Sequence, residues 1–403
     1  MKKVSLAWMM ILGIIAGILF ALLLKDYVTY IDWMGTLFLR ALKMIMVPLV
    51  LSSLITGVAS INSAGSLGRI GLKTITYYMV TSMLAIITGL LLINLFHPGV
   101  GADLNLSGTP AVSDLKGISI KDTFLSIVPE NIFASVAKGE MLPIIFTALL
   151  FGFFITRLQE KQRILLTDFF NSVFELSMKV TLFIMKLAPL GIFGLVARLV
   201  SQQHNLPELF QRLGIYMLVV ISALTFHALI TLPFILYLFG RTNPIKHYSA
   251  MSTPLLTAFS TASSNAALPL TMEAVEHKAG VSNKISSFTL PLGATINMDG
   301  TALFEIVAAL FIAQVYGMDL SAGQQIQMAL AALLASIGAA GIPMAGLVMM
   351  AIVLSVVGLP IEAVGLILAV DPILDMCRTT VNVLSDTCGA VIIAKSEGEI
   401  LKV

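Results

Sequence analysis

Between Asp371 and Asp386 an otherwise apolar stretch carries Asp371, Asp375, Arg378, Thr379, Asn382 and Asp386 at i, i+4, i+7, i+8, i+11 and i+15. On a helix these six positions share an arc of about 100° on one face. An ionisable side chain at mid-bilayer costs about 2.5–3.5 kcal/mol on insertion scales and usually faces a protein or water-lined interior. Three carboxylates and a guanidinium on one stripe are therefore hard to explain as packing. They read as a binding site for a charged solute and for cations.

The membrane setting follows from composition. Of 403 residues, 58% are apolar and 11% charged, against about 25% charged in soluble domains. The chain reads as an all-α polytopic membrane protein. A net charge of +2 gives no nucleic-acid footprint. Cys377 and Cys388 lie on one apolar segment without CxxC spacing, which argues against a disulfide framework or zinc site. Twenty-one methionines read as core filling. Met1-Lys2-Lys3 before an apolar run resembles a signal peptide. The run 4–24 is longer than a signal core and lacks a clear small-x-small cleavage site, so it reads as a first spanning helix. Gly13 and Gly17 could mark close helix packing within it.

Five further apolar spans follow, at 34–60, 75–96, 141–157, 168–200 and 213–239. Basic residues cluster after alternate spans: Arg69 and Lys73, then Arg157, Lys161 and Arg163, then Arg241 and Lys246. Together with Lys2 and Lys3 they place both termini in the cytoplasm of a cell (inner or plasma) membrane. The polar segment 99–122 falls outside. Beyond residue 250 two semi-apolar segments, 252–271 and 328–357, are broken by small residues closed by Pro269 and Pro343. Each precedes a full span, 285–314 and 361–394. Paired interrupted segments in corresponding positions mark an inverted-repeat transporter with a midplane site. Two kinked spanning helices are the simpler alternative.

Within 285–314, Gly300 and the β-branched residues around it weaken the helix and free carbonyls beside Asn297 and Asp299. Carbonyls, amides and a carboxylate are hard oxygen ligands of the kind a sodium ion prefers. Thr81 and Ser82 follow Tyr78 on another apolar helix, where back-bonding to the i−4 carbonyl would explain them equally well. Glu305, one turn after Thr301, is a desolvated carboxylate and a candidate proton carrier. No HExxH, GxSxG, P-loop or strand-associated GxGxxG occurs, so an enzyme is not expected. His97, His204, His227, His247 and His277 are scattered and read as mostly solvated loop residues.

These residues carry a resemblance. Leu42-Lys43-Met44-Ile45-Met46-Val47-Pro48-Leu49, Ala188-Pro189-Leu190-Gly191-Ile192-Phe193, both hairpins, Asn297-Met298-Asp299-Gly300-Thr301 and Asp375-x-x-Arg378-Thr379-x-x-Asn382-x-x-x-Asp386 resemble the glutamate/aspartate transporter family, the dicarboxylate/amino acid:cation symporters. The run Ala335–Pro343 is closer to the animal excitatory amino acid transporters.

The resemblance implies eight transmembrane helices, two re-entrant hairpins, a homotrimer and elevator transport. Scaffold would be 1–74 and 99–208, and the moving unit 75–98 and 209–403. The implied substrate site is Ser263, Ser264, Thr301, Gly346, Asp375, Arg378, Thr379 and Asn382, with backbone from Ala262 and Ile342. One sodium site would use Gly293, Asn297, Asn382 and Asp386; a second the backbone of Thr295, Ser336, Ile337 and Ala339; a third Tyr78, Thr81, Ser82, Asn297 and Asp299. The substrate would be L-glutamate or L-aspartate, carried with Na+, with H+ cotransport through Glu305 and K+ counter-transport left open. Neutral amino acid, C4-dicarboxylate and purely proton-driven carriers of the same fold remain alternatives, as does a passive channel. Three positions depart from the family pattern: Ala262 and Met376 stand where relatives carry an arginine, and Asn265 where a serine is usual.

Overall fold

The structure, a computed structural model, describes residues 6–60, 67–102, 128–138, 140–203, 205–337, 345–356 and 358–403. All regular structure in these residues is helical. The main helices are α1 (Leu6–Leu23), α2 (Asp32–Ser60), α3 (Leu67–Phe96), α4 (Met141–Ile155), α5 (Glu160–Lys186) and α6 (Ala188–Gln202). They are followed by α7 (Leu206–Gly240), α8 (Ser252–Thr261), α9 (Ser264–Glu273), α10 (Asn283–Ile296) and α11 (Asp299–Val315). The last are α12 (Ala322–Ile337), α13 (Ala345–Val356) and α14 (Asp371–Ser396).

Length and composition allow four of these to cross a membrane: Asp32–Ala59, Arg69–Phe96, Leu206–Gly240 and Asn283–Val315. The pair α5 and α6, bent by 54°, adds a fifth if it is one span. The bend follows from Pro189, which starts α6 and cannot donate to the preceding turn. α14 falls outside such a test because its apolar surface is interrupted by the ionic stripe.

Packing decides what each helix can do. α1 lies along α6, where Gly13 and Gly17 let the backbones touch. A Cβ at Gly13 would meet the Pro189 carbonyl at 2.5 Å, and one at Gly17 the Phe193 carbonyl at 2.8 Å. α2 packs on α4, α5 and α6. α11 packs on α3 and α14, and is buried along almost its whole length. Hydrocarbon burial stabilises such a helix by about 25 cal/mol per Å² removed from water, where water is the alternative.

α7 starts on a side-chain cap, Asn205 accepting from the Glu208 N–H at 3.2 Å. It contains two wide π-helical stretches, His227–Thr231 and Leu236–Gly240.

The interrupted segments differ in detail from expectation. In the first, the break is at Ala262, which is left-handed (φ 48°), followed by Ser263 capping α9. Pro269 does not close the break; it sits inside α9. In the second, Gly338–Met344, including Ala339, Ile342 and Pro343, lie outside the described residues.

The break in 285–314 also moves. α10 ends at Ile296 and α11 starts at Asp299, so Asn297 and Met298 are the non-helical pair. Gly300 is helical, and its missing Cβ is explained by the Arg378 backbone carbonyl lying against it.

Candidate functional site

α14 runs beside α8, α9, α10 and α11, so its stripe faces both the first hairpin and the broken helix. Helical spacing puts Asp371, Asp375 and Arg378 on that face, and all three are buried. Arg378 Nη1 donates to Asp371 Oδ1 at 3.0 Å and Nε to Asp375 Oδ1 at 2.8 Å. Its guanidinium carbon lies 4.2 Å from the centre of the Phe304 ring, a cation–π contact. From the second hairpin Gly346 closes over it. A Cβ there would be 2.9 Å from the guanidinium carbon, so only glycine leaves room.

Asp375, the expected partner of a ligand ammonium, pairs with Arg378 here. Two carboxylates thus hold the buried guanidinium, while its Nη2 has no hydrogen-bond partner among the described residues. Asp371 belongs to the stripe read as a site, though not to the implied substrate ligands, and Phe304 is an addition from the structure. Asp371 was legible as the stripe's first member. Phe304 reaches Arg378 from another helix, which no spacing within α14 could reveal.

Next along α14, Asn382 caps α11. Its Oδ1 accepts from Gly300 N at 2.7 Å, and its Nδ2 donates to Thr301 Oγ1 at 3.1 Å. This cross-helix cap replaces the hydrogen bonds that the break at Asn297–Met298 removes. Ser263, Ser264 and Thr379 are buried nearby, Ser263 Oγ accepting from Ala266 N at 3.3 Å.

Deeper still, four helices meet around two carboxylates. Asn297 Nδ2 donates to Asp386 Oδ1 at 2.9 Å and to Ser385 Oγ at 3.0 Å. Gly293 is so close to Asp386 that a Cβ would overlap the carboxylate. Asp299 Oδ1 accepts from Ser82 Oγ at 2.6 Å and Thr81 Oγ1 at 3.3 Å, and its Oδ2 from Ser385 Oγ at 2.6 Å. Thr81 Oγ1 also lies 3.0 Å from Tyr77 O, so its single proton is shared between the carboxylate and the i−4 carbonyl. Tyr78 donates to Thr289 O at 2.7 Å.

The Asn297 Oδ1 is buried without a hydrogen-bond partner among the described residues. A buried carbonyl oxygen left unpaired in a native site calls for an explanation, and hard cations take oxygen donors of this kind.

Thr295 and Ser336, expected to offer backbone groups, lie in α10 and α12 with their hydroxyls donating to Leu292 O at 3.0 Å and Leu333 O at 2.8 Å. Ile337 ends α12.

His227 corrects the reading of the histidines. It is fully buried in α7, with Nε2 3.3 Å from Asp299 Oδ2. His247 is buried too, whereas His97 and His277 are exposed, and His204 lies outside the described residues. The π-helical stretch that begins at His227 could not be read from the sequence period.

Residues 6–396 match the Sodium:dicarboxylate symporter family. The chain belongs to that family. It is 38% identical to the "Proton/sodium-glutamate symport protein" of Geobacillus stearothermophilus, over 99% of this chain and 96% of the relative. It is 40% identical to the "Excitatory amino acid transporter 3" of Mus musculus, over 91% and 79%. With the "Proton/glutamate-aspartate symporter" of Escherichia coli (strain K12) the identity is 39%, over 98% and 93%.

As a member of the Sodium:dicarboxylate symporter family the chain is a multi-pass membrane transporter and not an enzyme. Against that background Glu305 stands out. It is fully buried on α11, one residue from Phe304, and neither carboxyl oxygen has a hydrogen-bond partner among the described residues.

Proposed function

We propose that the chain is a secondary active transporter that carries L-glutamate or L-aspartate together with sodium. The observation that carries this reading is the buried Arg378, held by Asp371 and Asp375 under Gly346. A substrate side-chain carboxylate replaces Asp371 on the guanidinium, accepting parallel hydrogen bonds. Asp375, released from Arg378, then pairs with the α-ammonium. A C4-dicarboxylate offers Asp375 no such cation, and a neutral amino acid leaves Arg378 with only the partners it has.

Sodium is a co-substrate in this scheme. Asp386 and Asp299 supply fixed negative charge, and the unpaired Asn297 Oδ1 a neutral ligand. Glu305 favours an added proton: it is a buried carboxyl with no hydrogen-bond partner among the described residues, set in an apolar helix.

The architecture we assign is eight spans and two re-entrant hairpins, with both termini cytoplasmic and three copies assembled. The contacts of α2 with α4, α5 and α6, and of α14 with α8 to α11, support a scaffold and a separate moving unit.

Purified protein in liposomes tests this. Labelled aspartate or glutamate accumulates uphill under an imposed inward sodium gradient, and Arg378→Ala abolishes it. Preference for alanine or serine, equilibration without accumulation, or full uptake in sodium-free buffer under a pH gradient would each overturn the scheme.

A further inference from the structure

A cleft with an apolar floor of Leu39, Leu195 and Leu199 carries a cluster of charged side chains away from the stripe of α14. It has a volume of about 320 Å³ and is lined by Thr36, Arg40 and Lys43 of α2, Arg198 and Gln202 of α6, and Glu362. This far exceeds the roughly 30 Å³ share of one water molecule. Three cations face it against one carboxylate. Lys43 Nζ lies 3.2 Å from Glu362 Oε1. Arg40 and Arg198 make no ion pair and no side-chain hydrogen bond among the described residues. Two guanidinium forks and an ammonium converging on one space leave positive charge to be balanced.

We propose that this cavity binds a phosphate group, with Arg40 and Arg198 forking onto its oxygens and Lys43 as a third donor. Guanidinium geometry matches the paired oxygens of a phosphate, and Gln202 and Thr36 add neutral donors. The level of the cavity fits a phosphate from either of two sources. Tyr27, Tyr30 and Trp33, all exposed, mark an aromatic belt at the start of α2. Arg40 lies seven residues beyond Trp33, roughly 10 Å along the axis. Long side chains on a helix lean back toward its N-terminus, here toward the belt. The guanidinium of Arg40 is therefore carried toward the depth of lipid headgroups, where basic pockets between helices hold anionic lipids. The cleft can equally admit free phosphate from solution. In either case the anion competes with Glu362 for Lys43, so occupancy loosens a tie between α2 and the segment that follows α13.

Thermal unfolding of the purified full chain in detergent tests the site in two arms. One arm titrates inorganic phosphate against chloride at constant ionic strength. The other adds phosphatidylglycerol, with phosphatidylcholine as control because its choline cancels the charge. The expected result is a saturable rise in Tm in at least one arm. A response to the lipid alone assigns the headgroup, and a response to both assigns phosphate in general. Arg40→Gln with Arg198→Gln removes the rise. If that pair fails to fold, Arg198→Lys keeps the charge without the fork and raises the half-saturating concentration roughly tenfold. No rise over either control, or an equal rise with unchanged half-saturation in the variants, overturns the proposal.

Discussion

Arg378 donates to Asp371 at 3.0 Å across seven residues of the same helix, so the guanidinium that would receive a ligand carboxylate already has one. In the proposed scheme ligand binding is then an exchange of partners, and the residue exchanged out can be altered by itself. Asp371→Asn keeps the shape and weakens the pair. The substrate-free protein should lose about 1.5–3 kcal/mol, the usual worth of a hydrogen bond to a charged group. Its Tm should therefore fall. Saturating acidic substrate should raise the variant's Tm by more than it raises that of the wild type, because the internal competitor is gone. Equal ligand-induced shifts would remove Asp371 from the exchange.

Asp386 and the unpaired Asn297 Oδ1 lead to a prediction about the cation. Asp386→Asn removes the fixed charge while leaving a group able to bond Asn297. Sodium half-saturation for uptake should rise by about tenfold or more, since losing even a group that only orients a metal ligand costs about ten- to a hundredfold. Fold and Tm in the absence of sodium should change little. Uptake rate against sodium concentration reads this directly, and an unchanged midpoint would place the cation elsewhere.

How much of this was legible beforehand varies with the interaction involved. The stripe on α14 was readable because helical period alone places its members on one face. The first interruption was readable because small residues break apolar sequence, yet Pro269 marked the wrong residue, and the second lies outside the described residues. A left-handed Ala262 is held by packing of α8 on α14, which local propensity does not encode. Gly300 looked like a helix breaker and is a contact residue, since only the approach of Arg378 from another helix shows why a side chain is excluded. Phe304, Ser385 and His227 entered the site through tertiary contacts from separate segments. Ser385 was hidden in plain view beside Asp386, as one more small polar residue on a helix rich in them.

Glu305→Gln separates a working proton carrier from a carboxyl that never turns over. The substitution is nearly isosteric and removes a group with no partner among the described residues, so Tm should hold or rise slightly. Uptake-linked acidification inside proteoliposomes should disappear while sodium-driven uptake persists. Equal acidification in both proteins, or none in the wild type, would leave Glu305 a structural residue.

His247, in the short helix Pro244–Ala250 between α7 and α8, governs a response to acid. Its Nε2 lies 3.0 Å from Thr387 Oγ1, whose own hydroxyl donates to Leu384 O at 2.8 Å, so the imidazole is the donor of the pair. Nδ1 is buried without a partner among the described residues. Burial pushes the imidazole down from its ordinary value near 6.5 to about 4. On acidification the unfolded chain takes up this proton first. The stabilisation is therefore whole above about pH 6.5 and shrinks by about 1.4 kcal/mol per pH unit between there and pH 4. His247→Gln should flatten Tm against pH over that window. An unaltered slope would assign the acid sensitivity to other groups.

The two π-helical stretches of α7 have a consequence best put in terms of insertion and deletion. Each such turn accommodates one residue more than an α-helix would, without ending the helix. Removing a single residue from 228–231 would therefore leave a continuous, equally apolar helix. The helix beyond it would keep nearly its present phase relative to His227, whereas the same deletion from an α-helical stretch would turn the far end by about 100°. The two wide stretches are therefore the places where this helix can lose a residue and still hold both His227 on Asp299 and its far end ahead of α8. A variant library that samples only substitutions would never test it.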